Sequence, residues 1–165
     1  MINIIKGGIE KEIKELNAAL KSVNIKKEKE LTLDVIRVNS FDLDLPSKKS
    51  FLYIIKSVNQ IDKDIAKNIR NKKYGYAMCR VNDNFDINQD NCLYVGSSHN
   101  IKKRIIEHLG LGGSPKTYAM HLREWWDYGL ITIEIYSVEN DKYLQLYEDI
   151  LWDYYKPLLG RQGKK

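Results

Sequence analysis

The stretch Leu93-Tyr-Val-Gly-Ser-Ser-His-Asn-Ile-Lys-Lys-Arg-Ile-Ile-Glu-His108 contains the strongest local signals in this chain. It predicts a short apolar strand, a glycine turn, a serine or asparagine cap and then a basic helix. The helix has an apolar stripe formed by Ile101, Ile105 and Leu109. Arg104 and His108 lie one turn apart along the edge of that stripe, so both are expected to point into a cleft. This arrangement favours a site that handles phosphate.

The composition predicts one domain, or one domain with an appendage, that binds an acidic partner. The chain has 165 residues, of which 43% are hydrophobic, and a chain of this kind buries a substantial core. Lys and Arg number 27 against 22 for Asp and Glu, giving a net charge of +5. This basic excess suits nucleic acid or another acidic surface.

The cysteines and the hydrophobic runs predict a cytoplasmic protein that does not enter a membrane. Cys79 and Cys92 match neither a zinc spacing nor a disulfide framework, so we expect two buried thiols in a reducing compartment. The N-terminus lacks a signal-peptide pattern, and no run approaches the ~18 apolar residues of a membrane span.

Residues 1–50 are predicted to form an N-terminal accessory region that is charge-balanced. Its apolar residues recur at helical spacing over residues 9–23, and a strand is predicted at about 31–38. The Pro-Ser-Lys-Lys-Ser sequence at 46–50 marks the boundary. We expect this extension to serve substrate binding or dimerisation.

Residues 51–165 are predicted to form an α+β domain, with a small three-stranded antiparallel sheet flanked by helices. Strands 74–81 and 92–95 are expected to pair as a hairpin, with 130–138 as the third strand. A further short strand is predicted at 51–55. The predicted helices are 61–71, 98–109, 117–128 and 141–155.

Glu148 falls in the middle of the apolar face of the last predicted helix. That face consists of Leu144, Tyr147, Leu151, Trp152 and Tyr155. A carboxylate there must be paired, protonated or bound to a metal, because burying an unpaired charge costs free energy. A structural salt bridge is one interpretation. A divalent cation held by one carboxylate and several waters is the other, and it is typical of magnesium in phosphate chemistry.

These positions resemble the GIY-YIG nuclease family over residues 74–161. Tyr94-Val-Gly-Ser-Ser stands where the family has its second tyrosine motif, and Arg104 and His108 follow at the family's spacing. Glu148, with a proline nine residues later, matches the glutamate helix of the family.

The resemblance implies a metal-dependent endonuclease that hydrolyses phosphodiester bonds in DNA, with RNA not excluded. It implies one Mg²⁺ or Mn²⁺ ion held by Glu148. The rival hypothesis is a catalytically impaired nucleic-acid-binding module of the same fold. Neither hypothesis predicts an oligomeric state.

Two parts of the chain depart from the family pattern. The first tyrosine motif reads Tyr74-Gly-Tyr-Ala, for which Tyr76 is the favoured tyrosine and Tyr74 and Tyr53 are alternatives. The asparagine that commonly follows the proline is replaced by a segment ending in Arg161 and Gln162, and either of these is a candidate phosphate contact.

The chemistry of the side chains suggests a division of roles. Arg104 offers a permanently charged fork for the phosphate oxygens. Tyr76 is the favoured general base, although a phenol with a pKa of ~10 is about three units from neutral pH, roughly 4 kcal/mol of unfavourable ionisation. His108 is the rival base, and Tyr94 and His108 are otherwise candidates for positioning and proton relay.

Four basic side chains are candidates for contacts with a nucleic-acid backbone. They are Lys102, Lys103, Lys116 and Arg161. Solvated surface charge is the alternative interpretation of the three lysines.

Overall fold

The fold is described from a computed structural model. The residues that the structure describes are 10–11, 14–15, 18, 23–47, 49–62, 64–71, 77–86, 90–112 and 116–162. Residues 10, 11, 14, 15 and 18 are helical, as the prediction for 9–23 requires, whereas residue 23 is not helical. The other residues of that predicted helix lie outside the described residues.

Four antiparallel strands form one sheet in the order β1-β4-β2-β3. The strands are β1 (Ile25–Asp34), β2 (Ser50–Ser57), β3 (Cys92–Ser98) and β4 (Leu130–Val138). Strand β2 lies inside the sheet between β4 and β3, and nearly all of its residues are buried. Its continuous apolar run is typical of a strand that is covered on both faces.

Three α-helices flank the sheet in the described part of the chain. They are α1 (Ile65–Asn71), α2 (Ile101–Leu109) and α3 (Leu144–Tyr155). Helix α2 begins after Asn100, whose side chain accepts a hydrogen bond from the Lys103 N–H at 3.1 Å, and it ends at Gly110, which has φ of +77°. Single 3₁₀ turns occur at Ser40–Asp42, Leu122–Glu124 and Asp141–Tyr143.

The core lies on both faces of the sheet, because β2 alternates its side chains between them. Phe51, Tyr53 and Ile55 join the larger cluster, which also contains the buried side of α2. Leu52 and Ile54 join smaller clusters beneath α3. Tyr53 therefore lies on the α2 side of the sheet.

The structure is α+β, as predicted, but its sheet has four strands rather than three. The predicted hairpin between 74–81 and 92–95 is wrong, because β3 pairs with β2. In the described residues 77–86, only isolated bridges occur, from Met78 to Ala119 and from Val81 to Leu159. The apolar run of β2 can be buried on both faces, whereas the segment 77–81 contains Arg80, which is exposed.

The predicted helix 117–128 is also wrong, and only the turn Leu122–Glu124 is helical there. His121 has φ of +48°, a left-handed conformation that interrupts a right-handed helix. The burial pattern on which that prediction depended is nevertheless observed, since Ala119, Leu122 and Trp126 are buried.

The other elements are observed close to their predicted positions. The strand 130–138 is confirmed to the residue, and the last helix follows Asn140, whose side chain accepts from the Lys142 N–H at 3.2 Å. Helix α1 begins four residues later than predicted, at Ile65 rather than 61. Cys79 and Cys92 are buried free thiols, as expected.

Strand β1 begins six residues earlier than the predicted strand at 31–38, and it belongs to the same sheet as the rest of the domain. It lies at one end of the strand order, where it pairs with β4. Its first half, from Ile25, reads Ile-Lys-Lys-Glu-Lys-Glu and is largely exposed.

None of the helices in the described residues has the length and apolar character that a membrane span requires.

Candidate active site

A cleft of about 890 Å³ lies beside β3, α2 and α3 and contains four of the residues predicted from the sequence. These four are Tyr94, Arg104, Glu148 and Arg161. The remaining lining residues are Met78, Cys79, Arg80, Tyr118, Gln145 and Gly160. The fold thus brings together four predicted residues that are up to 67 positions apart in the sequence, from 94 to 161.

Two tyrosines pack against each other beside Gly96. Tyr53 lies opposite Gly96 in the β2–β3 register, and its ring is stacked on that of Tyr94 with centroids 6.0 Å apart. A Cβ atom at position 96 would lie 2.5 Å from the Tyr53 hydroxyl oxygen and 2.7 Å from Cε1 of Tyr94. The glycine of the Tyr-Val-Gly sequence is therefore required for the close approach of these two rings.

His108 is completely buried and holds the hydroxyl group of Tyr53. Its Nδ1 atom accepts a hydrogen bond from the Met120 N–H at 3.2 Å, which assigns the proton of the neutral ring to Nε2. The Nε2 atom lies 2.9 Å from the Tyr53 oxygen, to which it then donates. Both ring nitrogens of His108 are thus engaged within the protein.

The environment keeps His108 neutral. Burial, followed by the positive charge of Arg104, holds the pKa of His108 well below its usual range. A neutral imidazole with both nitrogens engaged is suited to positioning Tyr53 rather than to removing a proton from water.

Burial also raises the pKa of both tyrosines, and the guanidinium of Arg104 opposes that rise in each. The two phenols differ in access. Tyr53 has no exposed surface, whereas Tyr94 is half-buried and lines the cleft. Tyr94 is therefore the tyrosine of this pair that a bound substrate reaches.

Arg104 is half-buried and held in place by three oxygen atoms. Its Nη1 donates to Glu107 at 3.0 Å, and its Nη2 donates to the Tyr118 carbonyl at 3.0 Å and lies 3.5 Å from the Tyr94 hydroxyl oxygen. Glu107 is only 5% exposed, so this ion pair is shielded from solvent.

Sequence reasoning missed both Glu107 and Tyr118 as partners of Arg104. The contact with Glu107 could have been predicted, because Glu107 follows Arg104 by three residues and side chains at this spacing on a helix are neighbours. The Tyr118 contact has no sequence signal, since it is made by a backbone carbonyl group.

Glu148 lines the same cleft and accepts a hydrogen bond from the Ser97 hydroxyl group. Burial raises the pKa of Glu148, and the bond from Ser97 opposes that rise. Among the described residues, Ser97 is its one hydrogen-bonding partner, and no cation lies within ion-pair distance. The alternative of a structural salt bridge at Glu148 therefore finds no partner in the described part of the chain.

Glu148 has the chemistry of a ligand for a hard cation, as a partly buried carboxylate facing a cleft. No group of three or more His, Cys, Asp or Glu side chains suited to a metal occurs among the described residues. A cation held at Glu148 would therefore take most of its ligands from water and substrate, which is the usual environment of magnesium in phosphate chemistry.

The remaining predicted site residues that the structure describes are not part of the described cleft lining. Tyr74 and Tyr76 lie outside the described residues. Lys102, Lys103 and Lys116 are exposed, and they are not part of the described cleft lining.

Backbone pairing holds the C-terminal segment against the free edge of β3. The N–H groups of Leu158 and Leu159 each donate at 2.9 Å, to the carbonyl groups of Cys92 and Leu93 respectively. The Gly160 N–H then donates to the Arg80 carbonyl at 2.8 Å. This pairing places Arg80 and Arg161 at the cleft.

Comparisons of the chain with protein-family models, curated protein sequences and solved structures found no match. The assignment of chemistry to the site therefore depends on its geometry. Its central features are a charged arginine with a buried carboxylate partner, a carboxylate suited to a cation, and a tyrosine pair held by a neutral histidine.

Proposed function

We propose that the protein is a metal-dependent endonuclease of the GIY-YIG type that hydrolyses phosphodiester bonds in DNA. The observation that carries this proposal is the convergence of Tyr94, Arg104 and Glu148 on one cleft. Phosphodiester hydrolysis needs a cation for the developing charge, an activated water and stabilisation of the leaving oxygen. The cleft contains a candidate for each requirement.

Arg104 would bind the scissile phosphate. Its guanidinium group is pre-oriented by Glu107 and by the Tyr118 carbonyl, and the five N–H donors of an arginine leave further groups for phosphate oxygens. A donor fixed before the substrate arrives stabilises charge without reorganisation in the transition state.

Glu148 would hold the metal ion, with Ser97 fixing the orientation of its carboxylate. One bound Mg²⁺ or Mn²⁺ supplies charge neutralisation at the phosphate and the leaving oxygen. The raised pKa of Glu148 also predicts that metal binding is favoured by higher pH, because a cation binds the carboxylate form.

Tyr94 would contact the attacking water, since it is the tyrosine of the pair that lines the cleft. Tyr53, rather than Tyr76, would take the place of the first-motif tyrosine, because β2 pairs with β3 and puts Tyr53 opposite Gly96. His108 would position Tyr53 through its Nε2–H. Because the pKa of Tyr94 is raised, its use as a base predicts a cleavage rate that climbs with pH.

Cleavage of supercoiled plasmid DNA in Mg²⁺ or Mn²⁺ tests the proposal. We expect Glu148→Gln to lose cleavage by a factor of at least about 100, because it keeps the size of the side chain but removes the charge that binds the cation. Asp141→Asn is the matched control, since Asp141 is exposed next to α3 and outside the described cleft lining, and it should cleave normally.

Each outcome of this experiment has a defined meaning. Undiminished cleavage by Glu148→Gln would refute the metal site at that carboxylate. DNA binding by the parent protein without cleavage in either metal would support the nucleic-acid-binding module instead. A rate that is flat with pH and equal in Tyr94→Phe and the parent protein would exclude Tyr94 as the base.

A further inference from the structure

Arg80 and Arg161 come from distant parts of the chain and are fixed beside each other by backbone pairing. An antiparallel bridge joins Val81 to Leu159, and the Gly160 N–H donates to the Arg80 carbonyl at 2.8 Å. Gly160 has φ of +106°, and a Cβ at that position would lie 3.1 Å from Cε2 of Tyr94. Backbone pairing and the tight fit of Gly160 against Tyr94 together set where the two arginines enter the cleft.

Within the described part of the chain, the charges of these two arginines are uncompensated. Both residues are exposed and line the cleft, and neither has an ion-pair partner among the described residues. Arg104 differs from them, because Glu107 offsets its charge. Arg104 and a metal ion are sufficient to bind a single phosphate. The cleft therefore carries two further positive charges, those of Arg80 and Arg161.

We propose that Arg80 and Arg161 form a clamp for a second phosphate group on the strand that passes through the cleft. This inference rests on the proposed function and adds the residues that bind a phosphate next to the scissile one. The substrate is a polynucleotide, whose neighbouring phosphates occupy both Arg104 and the clamp, rather than a small molecule with one phosphodiester. Arginine suits this task because its planar fork binds phosphate oxygens in pairs.

The experiment is a titration of a fluorescein-labelled DNA duplex with the protein in EDTA, at several salt concentrations. In EDTA no cleavage occurs, so binding is measured separately from catalysis. For Arg80→Ala/Arg161→Ala we expect affinity to fall about tenfold or more. We also expect the slope of log K against log salt to become shallower by about 0.9, because the clamp neutralises one phosphate and each neutralised phosphate adds ~0.9 to that slope.

Two further variants separate the clamp from general charge and from folding. Lys26→Ala/Arg37→Ala removes the same charge from exposed residues of β1 and the turn after it, outside the described cleft lining, and should leave the slope unchanged. Arg80→Lys/Arg161→Lys keeps both charges and should recover most of the salt dependence but not all of the affinity.

The clamp is overturned if Arg80→Ala/Arg161→Ala binds DNA with the affinity and slope of the parent protein, or if the β1 control loses as much. A parent protein that binds DNA through the clamp yet never cleaves it in Mg²⁺ or Mn²⁺ refutes the endonuclease and leaves the clamp in place. A parent protein with no measurable affinity for DNA refutes both.

Discussion

Replacing Gly96 with alanine should disrupt the tyrosine pair at the centre of the site. The added Cβ would lie 2.5 Å from the hydroxyl oxygen of Tyr53 and 2.7 Å from its Cζ atom, well inside the ~3.5 Å at which carbon atoms pack. Tyr53 has little freedom to retreat, because it is fully buried, stacked on Tyr94 and hydrogen-bonded to His108.

The cost has two parts. Overpacking a core position costs about 1–3 kcal/mol. If the Tyr53 hydroxyl is pushed from His108, the buried Nε2–H loses its acceptor, which costs a further ~1–3 kcal/mol. We therefore expect the free energy of unfolding to fall by about 3 kcal/mol and the melting temperature to fall by roughly 6–12 °C.

Urea unfolding followed by tryptophan fluorescence measures this loss, since the chain has three tryptophans. The control is the same substitution made in a Tyr53→Phe protein, which lacks the hydroxyl oxygen nearest to the added Cβ. There, Gly96→Ala should lower the free energy of unfolding by about 1 kcal/mol less than it does in the parent protein. A free energy of unfolding for Gly96→Ala within about 0.5 kcal/mol of the parent protein would refute the close packing of Gly96 and Tyr53.

Three further predictions concern buried groups near the cleft. The pKa of His108 is depressed in the folded protein, so below pH ~6.5 the unfolded chain binds a proton at this residue that the folded protein does not bind. In urea titrations the free energy of unfolding should therefore fall by up to about 1.4 kcal/mol per pH unit from pH 6.5 to 5, and His108→Gln should remove that pH dependence. Burial raises the pKa of Cys79 and Cys92 to about 12, so neither thiol should react with a disulfide reagent at pH 8 until the protein is unfolded. Glu107→Gln weakens the contact that orients the guanidinium of Arg104, so in steady-state DNA cleavage kcat should be about tenfold lower and KM little changed. An unchanged kcat would show that Arg104 does not need Glu107 for its orientation.

Local patterns predicted the elements that depend on local sequence. The alternation of isoleucines over 130–138 and the capped apolar stripe of α2 each determine an element almost alone, and both are observed. Arg104 and Glu148 were predicted for the same reason, because helical spacing decides which face each occupies.

Strand pairing was predicted wrongly because it depends on which distant segment packs best. Both 51–55 and 74–81 are apolar, and closeness in sequence favoured the second as the partner of β3. The observed partner is β2, and its register with β3 brings Tyr53 against Tyr94. The tyrosine pair and its histidine could not be derived from spacing, since 55 positions separate Tyr53 from His108.

The edge position of β1 has a consequence for association between copies of the protein. An edge strand exposes unpaired backbone groups to which a strand from another molecule can add. The lysines and glutamates of β1 from Lys26 to Glu30 are exposed or half-exposed, and they would have to lose water for such an addition. At the opposite edge, the N–H groups of Leu158 and Leu159 donate hydrogen bonds to carbonyl groups of β3. Within the described part of the chain, charge therefore opposes the addition of a strand at the β1 edge, and the C-terminal segment opposes it at the β3 edge.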